Sequence, residues 1–167
     1  MAMTVVVDDR ERCPLLLPLP PEISTVRARL ATGDYSLLGR EDLIAVERKK
    51  ASELYCTVGA GRCRFLAELT RMRGIVRRGG VAAIVCEGSL YQVLGQAALM
   101  GEGSGSLAST MGERRVAPSH VLGSLVAWSV AFSVPVWFAG GLETAADIVW
   151  GILRAAERKL TEAKHGS

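Results

Sequence analysis

The sequence predicts an α/β fold, with a mixed central β-sheet flanked by α-helices, on three observations. Short β-branched and alternating runs fill the first 50 residues, and strands then alternate with helices. Val81-Ala82-Ala83-Ile84-Val85-Cys86 is a continuous apolar run closed by Glu87-Gly88, the pattern of a strand buried on both faces. The apolar period changes from two to helical spacing directly after Lys49. With 167 residues and 49% apolar content, the chain is expected to form one domain with its own core.

The elements follow in order. Thr4-Val5-Val6-Val7 reads as a central strand ending in Asp8-Asp9-Arg10-Glu11. Cys13 to Pro21 is broken by proline and must be loop or extended connection. Val26, Ala28 and Leu30 alternate with Arg27 and Arg29, as in a half-exposed strand leading into Gly33-Asp34. Ser52 to Val58 predicts a short helix, interrupted by Gly59-Ala60-Gly61. A longer helix then carries Phe65, Leu66, Leu69 and Met72 on one stripe. Arg62, Arg64, Arg71, Arg73, Arg77 and Arg78 surround it with only Glu68 to offset them, either as a solvated face or as a phosphate-contacting surface. Leu90 to Met100 is expected to be helical. The glycine- and serine-rich stretch near 101–116 is expected to be a flexible loop. Pro118-Ser119 opens an apolar helix, Val134 to Phe138 forms the last strand, and Glu143-Thr144-Ala145-Ala146 begins a final helix. From Glu157 to Ser167 that helix turns polar and is expected to fray, so the domain is placed at 1–160 with a tail at 161–167.

Composition narrows the function classes. A net charge of +3 permits a nucleic-acid partner without demanding one. Cys13, Cys56, Cys63 and Cys86 form no C-x-x-C pair and have no histidine at zinc spacing, so they read as reduced thiols of an intracellular protein. The N-terminus has no basic segment before its apolar run, which argues against a signal peptide. Val121 to Leu142 holds no charged residue and is long enough to span a bilayer, but Pro135 splits it into a buried helix and a short strand. No membrane association is expected.

The chemistry concentrates in a hairpin. Tyr35, Leu37, Ile44 and Val46 alternate with other residues, and Gly39-Arg40-Glu41-Asp42 suits a four-residue connection. If Leu38 pairs with Leu43, Asp34 falls opposite Glu47 on one sheet face. Lys49 follows on that face about 7 Å further along, while Tyr35, Leu37, Ile44 and Val46 point to the other, core side. A one-residue slip would undo this convergence. Two carboxylates and an ammonium suit a divalent-metal site with an adjacent cation. Phosphodiester hydrolysis needs hard oxygen ligands for Mg²⁺ or Mn²⁺, and a cation to stabilise charge on the phosphate. The carbonyl of Arg48 is a further candidate ligand.

Asp8-Asp9-Arg10-Glu11, then Gly33-Asp34, then Glu47-Arg48-Lys49 with an acid at Glu53, resembles the XPF-type structure-specific endonucleases, whose pattern is D-x-R-E, G-D, E-R-K-x-x-x-D. The likeness extends through Gly61-Arg62, Glu87 and Glu143-Thr144-Ala145, and so covers nearly the whole chain. It implies a restriction-endonuclease-like core and a Mg²⁺- or Mn²⁺-dependent DNA endonuclease cutting near flaps, forks or junctions, in repair or recombination. It also implies pairing through the nuclease domain, as a homodimer or with a second subunit. Trp128, Trp150 and Phe132 are candidates for that interface. Residue by residue, it makes Asp34 and Glu47 metal ligands and Lys49 the cation facing water or phosphate. Asp8 becomes a third acid at the metal, direct or through water, and Glu53 the last acid of the catalytic set. Arg10, Arg48, Lys50 and Arg62 would orient the phosphate or hold neighbouring carboxylates, with Glu11 a partner for one of them.

The sequence departs from the pattern at Glu53, where the family usually has Asp. Many relatives also carry a helix–hairpin–helix module or a helicase, for which this chain has no room, so a dimer or partner is expected to help grip DNA. Two other readings remain open: a non-catalytic DNA-binding or scaffold subunit of a nuclease pair, and a junction-resolving or restriction-type nuclease.

Overall fold

The computed structural model describes residues 3–95 and 116–165. Six strands form one mixed sheet in the order β2-β1-β3-β4-β5-β6. They are β1 (Thr4–Asp8), β2 (Ser24–Ala28), β3 (Tyr35–Leu37), β4 (Ile44–Lys49), β5 (Val81–Cys86) and β6 (Val136–Phe138). β3 runs antiparallel to both β1 and β4, whereas β1/β2, β4/β5 and β5/β6 are parallel. Among the helices are α1 (Ala51–Val58) and α2 (Arg62–Arg77), a helical segment described over 90–95 (α3), α4 (Pro118–Phe132) and α5 (Leu142–His165). The Gly/Ser-rich stretch expected as a loop lies, but for Val116, outside the described residues, as does the expected continuation of α3 to Met100. Among the described residues no helix is long and apolar enough to cross a membrane.

The hairpin register supposed from the sequence is the one observed. Tyr35 pairs with Val46, which sets Asp34 against Glu47. The Asp34 N–H donates to the Val46 carbonyl at 2.9 Å and closes that end. Both faces of the sheet are covered, not one. Tyr35, Leu37, Ile44 and Val46 pack with Val85 against Val149, Trp150 and Leu153 of α5. The face bearing Glu47 continues inward as Ala45, Ala82 and Ile84, roofed by Leu54, Phe65, Leu69, Met72 and Trp128 of α1, α2 and α4. The acids therefore sit where a two-sided core ends. Each fully buried aliphatic side chain contributes about 1.5–3 kcal/mol, so these cores hold the strand ends in place.

Three elements differ from expectation. β2 is exposed at every position, because it is the sheet edge and no described helix covers it. β6 begins at Val136, since Pro135 has no N–H to give; its carbonyl still accepts the Ile84 N–H at 2.9 Å. α5, expected to fray from Glu157, extends to His165. Ala156 and Leu160 keep helical spacing with Leu153 and are buried, and Arg40 pairs with Glu157 at 3.2 Å. Trp128 and Trp150 are likewise buried in the chain's own two cores, and Phe132 packs against the first. The outward apolar surface of α4 is instead Leu122, Val126 and Val130.

Candidate active site

Antiparallel pairing of β1 with β3, and of β3 with β4, brings the end of β1, the start of β3 and the end of β4 together at one end of the sheet. The Asp8 N–H donates to the Asp34 carbonyl at 2.9 Å, which ties the first two together. Asp34 follows Gly33, whose φ of +79° is a conformation glycine adopts without strain. A Cβ at Gly33 would lie 3.1 Å from both the backbone nitrogen and oxygen of Val46. The G-D pair is thus a backbone device that lets the chain turn tightly against β4.

These strand ends floor an open cleft of about 680 Å³ whose lining includes Asp8, Asp34, Glu47, Lys49, Glu53 and Glu68. Arg12, Lys50, Arg64 and Arg71, all exposed, line it nearer to solvent. The arrangement is acidic inside and basic at the rim.

Asp34 and Glu47 lie on the same face. Burial first, and then the neighbouring Glu47 carboxylate, push the Asp34 carboxyl up to about 7, against the hydrogen bond that Oδ2 accepts from the Arg48 N–H at 2.8 Å. Burial likewise raises Glu47, opposed by Lys49. Lys49 Nζ is hydrogen-bonded to Glu47 Oε1. Burial is the largest influence and works to lower the ammonium, but the charge and hydrogen bond of Glu47, with the Asp34 and Glu53 charges, together raise Lys49. The Phe65 ring lies beneath that ammonium, 5.8 Å from its centroid, and meets Trp128 edge-on at 5.1 Å. The site therefore holds two crowded carboxylates beside a fixed cation.

Asp34 and Glu47 fit a divalent ion. They are hard oxygen donors on rigid strands, and a cation between them would relieve their mutual repulsion. Among the described residues no three His, Cys, Asp or Glu side chains form a fuller set. The remaining positions would fall to water and phosphate oxygens, which is how Mg²⁺ is commonly held.

The other expected residues are placed differently. Asp8 Oδ1 accepts the backbone N–H and Nε of Arg10, and Oδ2 accepts Arg10 Nη2 and the Leu30 N–H, all within 2.7–2.9 Å. Burial opposes its ionisation, but these donors prevail and hold its carboxyl down at about 2. Its acceptor positions are filled by protein. Arg10 also donates to the Leu30 carbonyl at 2.8 Å, so it braces the β1 end. Glu53 accepts the Lys50 N–H at 2.9 Å and caps α1. Lys50 is exposed at the N-cap of that helix and lines the cleft.

The Arg48 side chain, which alternation sends to the opposite face, is paired with Glu87 and with Glu11 at 3.1 Å. It also donates to the Cys13 carbonyl at 2.9 Å. Of the two options for Arg48, its contacts are those of a residue holding neighbouring carboxylates. Arg62 stacks 5.4 Å from the Trp128 ring centroid and donates to Ser124 Oγ at 3.3 Å, against α4 and outside the cleft lining.

Glu68 was not expected in the site. It lies three residues after Phe65 and four before Met72, on the inward edge of the α2 stripe. An acid at that helical position was the signal available in the sequence. Its Oε1 accepts the Gly33 N–H at 3.3 Å.

The family model described as the ERCC4 domain matches residues 7–150. Two solved structures share the fold. XPF from Aeropyrum pernix superposes with a TM-score of 0.60 at 18% identity, covering 97% of this chain and 69% of that one. XPF from Aeropyrum pernix in complex with DNA gives 0.60 at 17% identity, covering 93% and 65%. No curated protein matches the sequence. The mixed sheet between helical layers is thus the restriction-endonuclease-like arrangement of XPF nucleases.

Proposed function

Taking as premise that this chain belongs to the ERCC4 domain family, we propose that it is a Mg²⁺- or Mn²⁺-dependent endonuclease hydrolysing DNA near flaps, forks or junctions. The observation that carries this reading is the meeting of Asp34, Glu47 and Lys49 at one end of the sheet, on the floor of a cleft with a basic rim. A non-catalytic scaffold has no use for two crowded carboxylates poised to hold a cation beside a lysine. The XPF structure solved with DNA supports nucleic acid as the substrate. A role in DNA repair or recombination follows from the substrate class.

When bound, the divalent ion polarises the phosphate and lowers the pKa of its water. The chain supplies the rest. Asp34 and Glu47 present hard oxygens from strands that cannot move without disturbing both cores. Asp8, locked by Arg10, fixes the β1 end to which Asp34 is tied. Lys49 remains an ammonium, supported by Glu47 and Phe65, and faces the charge that develops on the phosphate. Arg12, Lys50, Arg64 and Arg71 at the rim meet the flanking phosphates, a contact independent of base sequence.

We propose that the pairing partner is a second copy of the chain, docked on the outer face of α4. Leu122, Val126 and Val130 stand one turn apart and exposed, with Gly123, Ala127 and Ala131 beside them. α4 holds no Asp, Glu, Lys or Arg, so this face offers no charge by which to select a different partner. A self-matching apolar stripe suits a two-fold contact. β6, the neighbouring sheet edge, adds the exposed Trp137.

The test is cleavage of labelled 3′-flap, fork, Holliday-junction and duplex DNA in Mg²⁺ or Mn²⁺. We expect cutting of branched substrates, and a loss of about 100-fold or more in Asp34→Ala and Lys49→Ala. Binding without cleavage in every condition would overturn the enzyme reading in favour of a scaffold. Cleavage that survives Asp34→Ala would overturn the site assignment, and equal cutting of every substrate would remove structure specificity.

A further inference from the structure

We propose that Glu68 is a positioning residue of this centre. From α2 it fixes the Gly33-Asp34 turn and adds a third negative charge beside Asp34 and Glu47, setting how tightly that pair holds a divalent cation. The proposal rests on the functional reading above.

The two outer acids of the expected set are occupied elsewhere: Asp8 accepts four N–H groups, and Glu53 caps α1. Glu68 is a carboxylate outside that set which faces the cleft floor. Its side chain is 19% exposed, on a helix whose other inward positions are Phe65, Leu69 and Met72. Its two contacts show what it holds.

Glu68 Oε1 accepts the Gly33 N–H at 3.3 Å, and Arg71 pairs with Oε2 from the solvent side. Asp34, the next residue, is held by its N–H to Val46 and by its Oδ2 from the Arg48 N–H. The turn is therefore pinned by β4 on one side and by α2 on the other. The charge of Glu68 also reaches further: it is among the influences that raise Glu47, and it acts on Arg10. A negative charge so placed opposes an approaching phosphate unless a cation intervenes. It favours the cation in the same measure.

Gln separates the two contributions, since Glu68→Gln keeps an acceptor for Gly33 while removing the charge and, with it, the exposed Arg71 pair. Mn²⁺ binding to the full chain is measured by electron paramagnetic resonance or calorimetry, beside metal-free melting. We expect Glu68→Gln to melt within about 2 °C of the wild type and to bind Mn²⁺ roughly fivefold to tenfold more weakly. Its kcat on branched DNA should recover towards wild type at saturating Mn²⁺, which a merely structural defect would not do. Glu68→Ala should add a lower melting temperature; if it fails to fold, Glu68→Gln still decides the matter. Unchanged Mn²⁺ affinity in Glu68→Gln, with a wild type that binds Mn²⁺ and cleaves, would overturn this proposal alone. A wild type that neither binds Mn²⁺ nor cleaves would overturn the functional reading and this proposal with it.

Discussion

Asp8 and Asp34 lie hydrogen-bonded to one another through backbone atoms, yet their carboxyls are driven in opposite directions. Four N–H donors hold Asp8 at about 2, whereas burial and Glu47 raise Asp34 to about 7. Linkage then gives opposite signs. The stabilisation from Asp8 is complete above its unfolded pKa near 4 and is lost as pH falls towards 2. Asp34 binds a proton more tightly folded than unfolded, so between about 4 and 7 it makes the metal-free protein less stable as pH rises. We expect Asp8→Asn to lose on the order of 2 kcal/mol at pH 7, with the deficit shrinking in acid. Asp34→Asn should flatten the fall in stability between pH 4 and 7. Urea denaturation across pH 3–8 reads both, and a wild type equal to Asp8→Asn at neutral pH would refute the first. The face shared by Asp34 and Glu47 was legible in the sequence, because strand alternation has a period of two; that the two stand directly opposite depended on the register, which the fold fixes. The commitment of Asp8 to Arg10 was not, since a side chain's donors depend on the loop from 9 to 23 and on the remote Leu30. Arg48 lies between: its opposite face followed from alternation, but its partners Glu11 and Glu87 required the fold.

At the scale of elements, what decides legibility is whether local pattern or remote cover sets the outcome. β5 was clear, because an uninterrupted apolar run between helices must be buried on both faces. β2 carries similar alternation but ends as a bare edge, a fact set by where the helices fall. α5 shows the reverse error. Its last turns look too polar to stay ordered, yet two apolar positions at the right spacing suffice when a sheet lies beneath them. Leu160 is buried, Lys159 donates to the Gly80 carbonyl at 3.4 Å, and Glu157 meets Arg40 from the hairpin loop. We therefore expect Leu160→Ala to cost about 2 kcal/mol, the lower end for truncating a buried leucine. If the helix frayed from Glu157, the same change would cost nothing measurable in urea melts, and hydrogen exchange at 158–162 would be fast.

The molecule joins an open cleft, acidic inside and basic at the rim, to an apolar helix face, and packed side chains connect the two. Lys49 lies over Phe65, Phe65 meets Trp128, and Trp128 is the inner side of α4. On the outer side of that helix stand Leu122, Val126 and Val130, the last 75% exposed. An uninterrupted apolar stripe of this kind on a chain of net charge +3 is costly in water unless it is covered. Covering by a second copy also answers how a domain with a balanced cleft holds a branched polyanion. In the proposed dimer two clefts would engage two arms, the second contact being made at high effective concentration. We expect the wild type to sediment as a dimer at micromolar concentration and Val126→Glu to sediment as a folded monomer. That variant removes no group from the cleft, so its intrinsic Mn²⁺ affinity should be unchanged while its affinity for forks falls at least tenfold. A wild type that stays monomeric at high concentration and binds forks as tightly as Val126→Glu would remove the self-docking role of α4 and leave the cleft chemistry standing.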